Sequence, residues 1–393
     1  MYKKLIGAAI AGLVAVPAMA QTNVTISGKV AAGWENYKLS GGGNTGHDAE
    51  SRVSDQSSRL IFRVSEDLGG GLQAWGQVDM RYTVDLGALS AGGNTGLGLM
   101  SKSWGKFTMG RWDLHYNEFG AIESNRAGSN QTNFGDGIMS QVTSTHTGGV
   151  GTEVVSIMAS ASRTPNIVMW DSPNWNGFTA RLAYSTNPFG AEGVTNRAAG
   201  DPGDGSGWNG ALRYKNGPWT AGVSYWNATS ENRTAGTRAA DQNAWRAWLG
   251  YAFAMGLKVG FGWDRSEFDN HIIGAADAVA AGNTRRNAWM IPVSYSTGPH
   301  TIYFKYARAG KASGSAIAAG TGGDFKASAW NIGYDYAFSK RTSLGVYYTK
   351  LSNDSNGTNT VGAAYNLKSG NGATTTRRGE DVSQLYLGMS HSF

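Results

Sequence analysis

Cysteine is absent from the 393 residues, which excludes a disulfide framework and thiolate metal sites. Long apolar runs are absent as well. Beyond Gln21 no stretch reaches the roughly 18 residues a membrane helix needs, so helical spans are excluded. There is no basic run or tail, and the formal charge is only +6, too mild for a nucleic-acid partner. Neither H-E-x-x-H nor G-x-S-x-G occurs, and His47, His115, His146, His271, His300 and His391 stand in no recognisable catalytic setting. Gly41, Gly43 and Gly46 satisfy G-x-G-x-x-G. A polar segment leading into a strand follows them instead of a helix, so they mark a surface loop and not a nucleotide site. Nothing in the sequence calls for a cofactor or a metal.

What is present begins with a leader. Lys3 and Lys4 precede a short apolar stretch from Leu5 to Val16, and Ala18-Met19-Ala20 is a small-x-small cleavage signal. Residues 1–20 are therefore expected to be a signal peptide, with 21–393 as one exported domain. Glycine is 57 of 393 residues and proline only 8, while aromatics make up 11%, with 14 Trp and 17 Tyr. A disordered glycine-rich chain would not carry so many aromatics. A β protein with tight turns and aromatic girdles would.

Period-two alternation decides the fold class. Val24, Ile26, Val30, Ala32 and Trp34 alternate with Thr25, Ser27, Lys29 and Glu35. Leu257, Val259, Phe261 and Trp263 alternate with Lys258, Gly260, Gly262 and Asp264, and Trp330, Ile332, Tyr334 and Tyr336 with Asn331, Gly333 and Asp335. Sixteen such segments are expected, at 24–37, 56–67, 72–82, 96–104, 106–112, 163–171, 178–185 and 207–215, then at 219–227, 242–252, 257–265, 285–296, 300–309, 325–337, 341–351 and 382–393. Soluble sandwiches alternate too, but these segments have the length of tilted membrane strands and carry aromatics at their ends. Short connections (68–71, 105–106, 216–218, 297–299, 339–341) alternate with long ones (39–55, 186–206, 266–284, 310–324, 352–381). The reading is an all-β, sixteen-stranded antiparallel transmembrane barrel, wide enough for an aqueous lumen. Residues 113–162 show no sustained alternation and read as a third loop folded into the pore, the alternative being an extracellular lid.

Phase sorts the charges. Lys29, Arg59, Arg63, Arg81, Arg181, Arg213, Lys215, Arg246, Lys258 and Lys305 fall on polar faces, against Glu35, Asp79, Asp264 and Asp335. A basic excess in a narrow lumen concentrates anions. The alternative for each cation is a snorkelling side chain at the lipid interface or a lipopolysaccharide contact. For mid-strand positions such as Lys29, Arg59, Arg246 and Lys258 a lipid-facing charge would cost about 2–4 kcal/mol at the midplane, so the lumen is preferred. Trp226 and Trp248 share the lumen phase, which leaves open an aromatic track for a bound solute.

Several motifs carry a resemblance. They are Ile26-Ser27-Gly28-Lys29, the hairpin from Ser58 to Leu72, Phe107-Thr108-Met109-Gly110-Arg111, Ser339-Lys340-Arg341-Thr342 and the terminal Phe393. On these the chain resembles the Gram-negative general porins of the β-proteobacterial type. The resemblance implies a homotrimer in the outer membrane, a third loop that narrows the lumen, and a basic ladder at Lys29, Arg59, Arg111 and Arg163. Arg163 shares parity with Ile167 and Met169, so it needs a bulge near Pro165 to face the lumen. Facing acids would come from Glu118, Glu123, Asp136 or Glu153, among which the sequence does not choose. Phe393 resembles the signal read by the barrel-assembly machinery. The implied function is passive diffusion of small hydrophilic solutes and ions with a mild anion preference. The alternatives are a channel specific for carboxylates or sugars and, remotely, an outer-membrane barrel enzyme.

Overall fold

The computed structural model describes residues 23–41, 49–123, 125–128, 130–145, 152–156, 161–190, 205–230, 241–271, 282–314, 326–353, 365 and 379–393. The expected leader at 1–20 lies outside them, as does most of the G-x-G-x-x-G stretch. Extended strands dominate: β1 (Asn23–Gly41), β2 (Ala49–Asp55), β3 (Arg59–Gly69), β4 (Leu72–Tyr82), β5 (Leu89–Ser90), β6 (Thr95–Ser101) and β7 (Gly105–Trp112). Residues 113–162 carry two short 3₁₀ turns, His115–Ala121 and Asn130–Thr132, and a hairpin of β8 (Gln141–Thr145) and β9 (Thr152–Ser156). Then come β10 (Thr164–Asp171), β11 (Phe178–Ser185), β12 (Gly205–Asn216), β13 (Trp219–Ser230), β14 (Asp241–Ala252), β15 (Leu257–His271) and β16 (Gly282–Thr297). The last four are β17 (His300–Ala309), β18 (Ala327–Ala337), β19 (Thr342–Asn353) and β20 (Glu380–Ser392).

All except β8 and β9 form a single antiparallel sheet, with β7 pairing to β10 across the 113–162 stretch and β1 pairing with β20 to close it. Both β2 and β3 pair with β1, and both β5 and β6 with β4, so each couple fills one position in the wall. The barrel therefore has sixteen positions, one for each segment expected from alternation. Some ends differ: β1 runs to Gly41 and β15 to His271. There the outward positions Glu267 and Asp269 are polar, so the alternation fades where both faces meet water while the backbone pairing continues. The segment expected at 56–67 is interrupted at its start, where Ser57 has φ 64° between β2 and β3. The stretch 113–162, expected to be irregular, holds the β8–β9 hairpin.

Closure is sealed by the last residue. The Gly28 amide donates to the Phe393 carbonyl at 3.0 Å, and the Phe393 amide donates to the Gly28 carbonyl at 3.1 Å. A Cβ on Gly28 would lie 2.6 Å from the Phe393 ring, so only glycine allows that ring to cover the seam. At the hairpin between β3 and β4, Gly69, Gly70 and Gly71 all have positive φ, a run that other residues do not tolerate.

Burial is inverted relative to a water-soluble fold. Ile302 is 52% exposed and Leu249, Phe261, Ile332 and Leu387 are exposed in the same way, whereas Arg246, Asp264 and Asn331 are fully buried. The apolar parity faces out around the ring and the polar parity faces in. Such a surface is stable only in hydrocarbon, and a closed barrel is the only sheet that leaves no edge unpaired there.

Candidate functional site

The inward wall carries a row of cations in register. Lys29 on β1 lies opposite Arg59 on β3, which lies opposite Arg81 on β4. Lys29 donates to the Gln56 carbonyl at 2.8 Å, and Arg81 pairs with Asp79 at 3.0 Å. The Arg59 side chain makes no hydrogen bond or ion pair among the described residues, and its Nε is buried without a partner. Its electrostatic neighbours are Arg81, Asp79, Arg163 and Asp113. Arg163 reaches this group because the register between β7 and β10 shifts between Thr164 and Ile167, the bulge its parity required. Its guanidinium stands 3.8 Å from Asp113. Arg111 is not brought here: it is exposed and shares parity with outward-facing Met109. Arg63 is exposed on the inward parity and donates to Gln77 at 2.6 Å. Lys258 is exposed on the inward parity at the start of β15.

Residues 113–141 meet inward-facing groups of strands spread round the ring. Glu118 is paired with Arg213 of β12, whose Nε donates at 2.7 Å. Glu123 accepts from the Lys305 ammonium of β17 at 3.1 Å and from the amides of Phe134 and Gly135, each at 2.8 Å. The Arg126 amide donates to Asp335 of β18 at 2.8 Å. The Asn130 amide donates to the Gln56 side chain between β2 and β3 at 2.6 Å. Asp136 accepts from Asn133 at 2.7 Å. Glu153 falls in β9, and its side chain lies outside those described.

Two buried arginines hold this segment by its carbonyls. Arg246 of β14 pairs with Asp264 of β15 at 2.8 Å and donates to the Tyr116 carbonyl and the Ser140 hydroxyl. Arg286 of β16 shares Asp264 at 3.1 Å and donates to the carbonyls of Ile138 and Met139 at 2.8 and 2.9 Å. Arg246 was expected to line open lumen and is instead covered. The buried charges are tolerable because both guanidinium groups share the Asp264 carboxylate and donate to carbonyls of the 113–141 segment. Arg286 is absent from the sequence-derived inventory. Its signal is parity with Ala288 and Met290 on the inward face of β16, blurred by the adjacent Arg285 at the strand head.

His115 lies fully buried between these layers. Its Nδ1 is 2.9 Å from the Ser224 hydroxyl of β13, and its Nε2 has no partner. Burial, and then the nearby Arg246 charge, hold its pKa well below the ordinary value. Burial also raises the pKa of Tyr116, with the carboxylates Asp136 and Asp113 adding to the rise. The open aromatic track is corrected: Trp226 and Trp248 do face inward, but they are buried in packing. Trp248 packs with Phe119, Ile138 and Met139; Trp226 packs with Leu114, Tyr116 and Phe268.

A Gram-negative porin family model matches residues 7–356. An outer membrane porin protein of Bordetella pertussis is 26% identical over 388 residues, covering 88% of this chain and 93% of that protein. The major outer membrane protein P.IB of Neisseria gonorrhoeae is 29% identical over 188 residues, 47% of this chain and 48% of its own. Among solved structures, an anion-selective porin from Comamonas acidovorans superposes with a TM-score of 0.66 at 20% identity, over 95% of this chain and 100% of that one. The in-vitro folded trimer form of OmpT, an outer membrane protein of Vibrio cholerae, superposes with a TM-score of 0.63 at 12% identity, over 95% and 99%.

Proposed function

The chain belongs to the Gram-negative porin family, and from that premise we propose an outer-membrane diffusion channel whose lumen favours small anions. It is a porin and not an enzyme, and small hydrophilic solutes cross it passively. The selectivity is carried by one observation. The acids of residues 113–141 are engaged, Glu118 by Arg213 and Glu123 by Lys305, whereas Arg59 stands in the Lys29–Arg59–Arg81 row with no ion pair. The charge left for a passing ion is positive, and a low-dielectric wall strengthens its field.

On this reading residues 113–162 cross the lumen and narrow it. A segment that touches β12, β14, β17, β18 and the β2–β3 junction on their inward parity does so most simply from inside the ring. Lys29, Arg59 and Arg163 line the constriction, with Arg63 and Lys258 as further lining charges. Residues 1–20 are removed on export, Phe393 is presented to the assembly machinery, and three copies associate, as in the trimer form of the Vibrio protein. The outer wall meets lipid and lipopolysaccharide.

The test is the reversal potential of single channels in a KCl gradient across a planar bilayer. Anion preference is expected, and cation preference would remove the lumen assignment. No single solute is expected to produce saturable block of the conductance; such block would favour a substrate-specific channel.

A further inference from the structure

We propose that the cleft between the β3–β4 and β6–β7 turns, on the lumen side at the short-turn end of the barrel, holds a small polyhydroxylated carboxylate of the uronate kind. This rests on the channel reading and adds to it a solute site remote from the constriction. Asp67, Gln73, Met100 and Lys106 lie side by side across β3, β4, β6 and β7. Gln73 and Lys106 share the inward parity of the buried Trp75 and Thr108. Between this row and the turns the surface is hollowed by a cavity of about 620 Å³, lined also by Ser101, Lys102 and Ser103. The outward neighbours Leu72, Leu99 and Phe107 take no part in the lining, so the cavity opens to the lumen and not to lipid. Arg81 of the constriction row is about 26 Å from Gln73 along β4.

Lys106 is the centre of the site. Its ammonium sits over the Trp75 ring, 3.4 Å from the centroid, and 5.1 Å from that of Trp112. The carboxylate opposite it in register, Asp171, is occupied, because Arg181 donates to both its oxygens at 2.7 and 3.1 Å. Lys106 has no ion pair among the described residues, and Arg63 and Arg181 add to the positive field around it. Two indoles hold the cation in place without neutralising it. Lys102, in the β6–β7 turn, is a second cation, exposed and without an ion pair among the described residues. Together they call for an anion. The rest of the lining calls for hydroxyls. Gln73 offers a carboxamide, and the Ser101 and Ser103 hydroxyls stand 3.0 Å apart. Asp67 has one oxygen taken by the Gly69 amide at 2.9 Å and the other left to accept. That carboxylate repels a second anionic group but suits a sugar hydroxyl, and Met100 supplies an apolar floor for the CH face of a ring. Chloride or acetate can use the cations alone, whereas a uronate uses both halves of the lining.

The purified protein in detergent is titrated calorimetrically with D-glucuronate, D-glucose and acetate at fixed ionic strength. The proposal expects one glucuronate per chain, with glucose and acetate each about tenfold weaker or more, since each meets half of the lining. Lys106→Met keeps the stem against the indoles and removes the charge. It should weaken glucuronate binding roughly thirtyfold and leave it no better than glucose. Gln73→Leu should narrow the preference for glucuronate over acetate. Lys340→Ala, on another turn at the same end of the barrel, should bind as the parent does. Equal glucuronate affinity in the parent and in Lys106→Met would overturn the site. Acetate binding as tightly as glucuronate would also overturn it, by reducing the cleft to a diffuse cationic field. The reversal potential in a KCl gradient, read on the same preparation, separates this failure from failure of the channel reading: absent glucuronate binding with anion preference intact removes the site alone.

Discussion

Arg59 combines three properties that no other described cation of the inward wall shares: it sits mid-row between two further cations, its Nε is buried without a partner, and no carboxylate pairs with it. Reversing its sign should therefore change what the lumen admits more than reversing a paired residue. Arg59→Glu is expected to move the reversal potential in a KCl gradient toward cations, while Arg213→Gln, whose charge is spent on Glu118, should move it less. An unchanged ratio in Arg59→Glu would take that residue out of the constriction. His115 supports a second expectation with a definite sign. Its folded-state pKa lies below the unfolded one, so its contribution to stability is complete above the ordinary histidine value of about 6.5 and is lost as pH falls through the folded value. Acidification from pH 7.5 to 5 should loosen the His115–Ala121 turn against Ser224 and Arg246. More frequent closures in bilayer recordings would show this, and His115→Gln should flatten the pH dependence. Identical closure frequencies at both pH values would refute it.

At the scale of the elements, the 113–141 segment is held less by its own hydrogen bonds than by side chains that the wall supplies. Arg246 and Arg286 grip it through carbonyls and share Asp264 between them. Removing one member of a buried ionic cluster costs about 3–5 kcal/mol, because the others lose their compensation. Arg246→Met is expected to leave the barrel closed, with its heat-dependent shift in electrophoretic mobility intact, yet to make residues 113–141 cleavable by added protease. Protection equal to the parent would mean that the apolar packing of Phe119, Phe134 and Ile138 suffices. Legibility in the sequence follows from the same division. Strands were readable because period two survives in every wall segment, and phase alone put Arg59, Arg246 and Lys305 on the inner face. The segment has no period, so nothing in the chain announced that it would cover Arg246, Trp226 and Trp248 or draw Glu123 to Lys305. Arg111 was placed by motif, and the phase it shares with Met109 already pointed outward. Arg163 was readable only together with the bulge that Pro165 invites.

The molecule as a whole is turned inside out, and that inversion can be tested apart from any conductance. Phe304 and Lys305 are neighbours on β17 with opposite fates: Phe304 is exposed between Val293 and Ile332 on the outer row, and Lys305 is buried against Glu123. In a water-soluble barrel an exposed phenylalanine could be exchanged for arginine within about 0.5 kcal/mol. In a barrel whose outer row meets hydrocarbon, the same exchange places a charge in lipid and costs about 2–4 kcal/mol near the midplane. Phe304→Arg is thus expected to lower the unfolding free energy by that amount when urea titrations are followed by tryptophan fluorescence in lipid bilayers. Tyr306→Arg, one row nearer the headgroups, should cost less because its cation can reach the interface. Equal and small effects at both positions would mean that the outer rows face water, and the membrane placement of the barrel would fall with them.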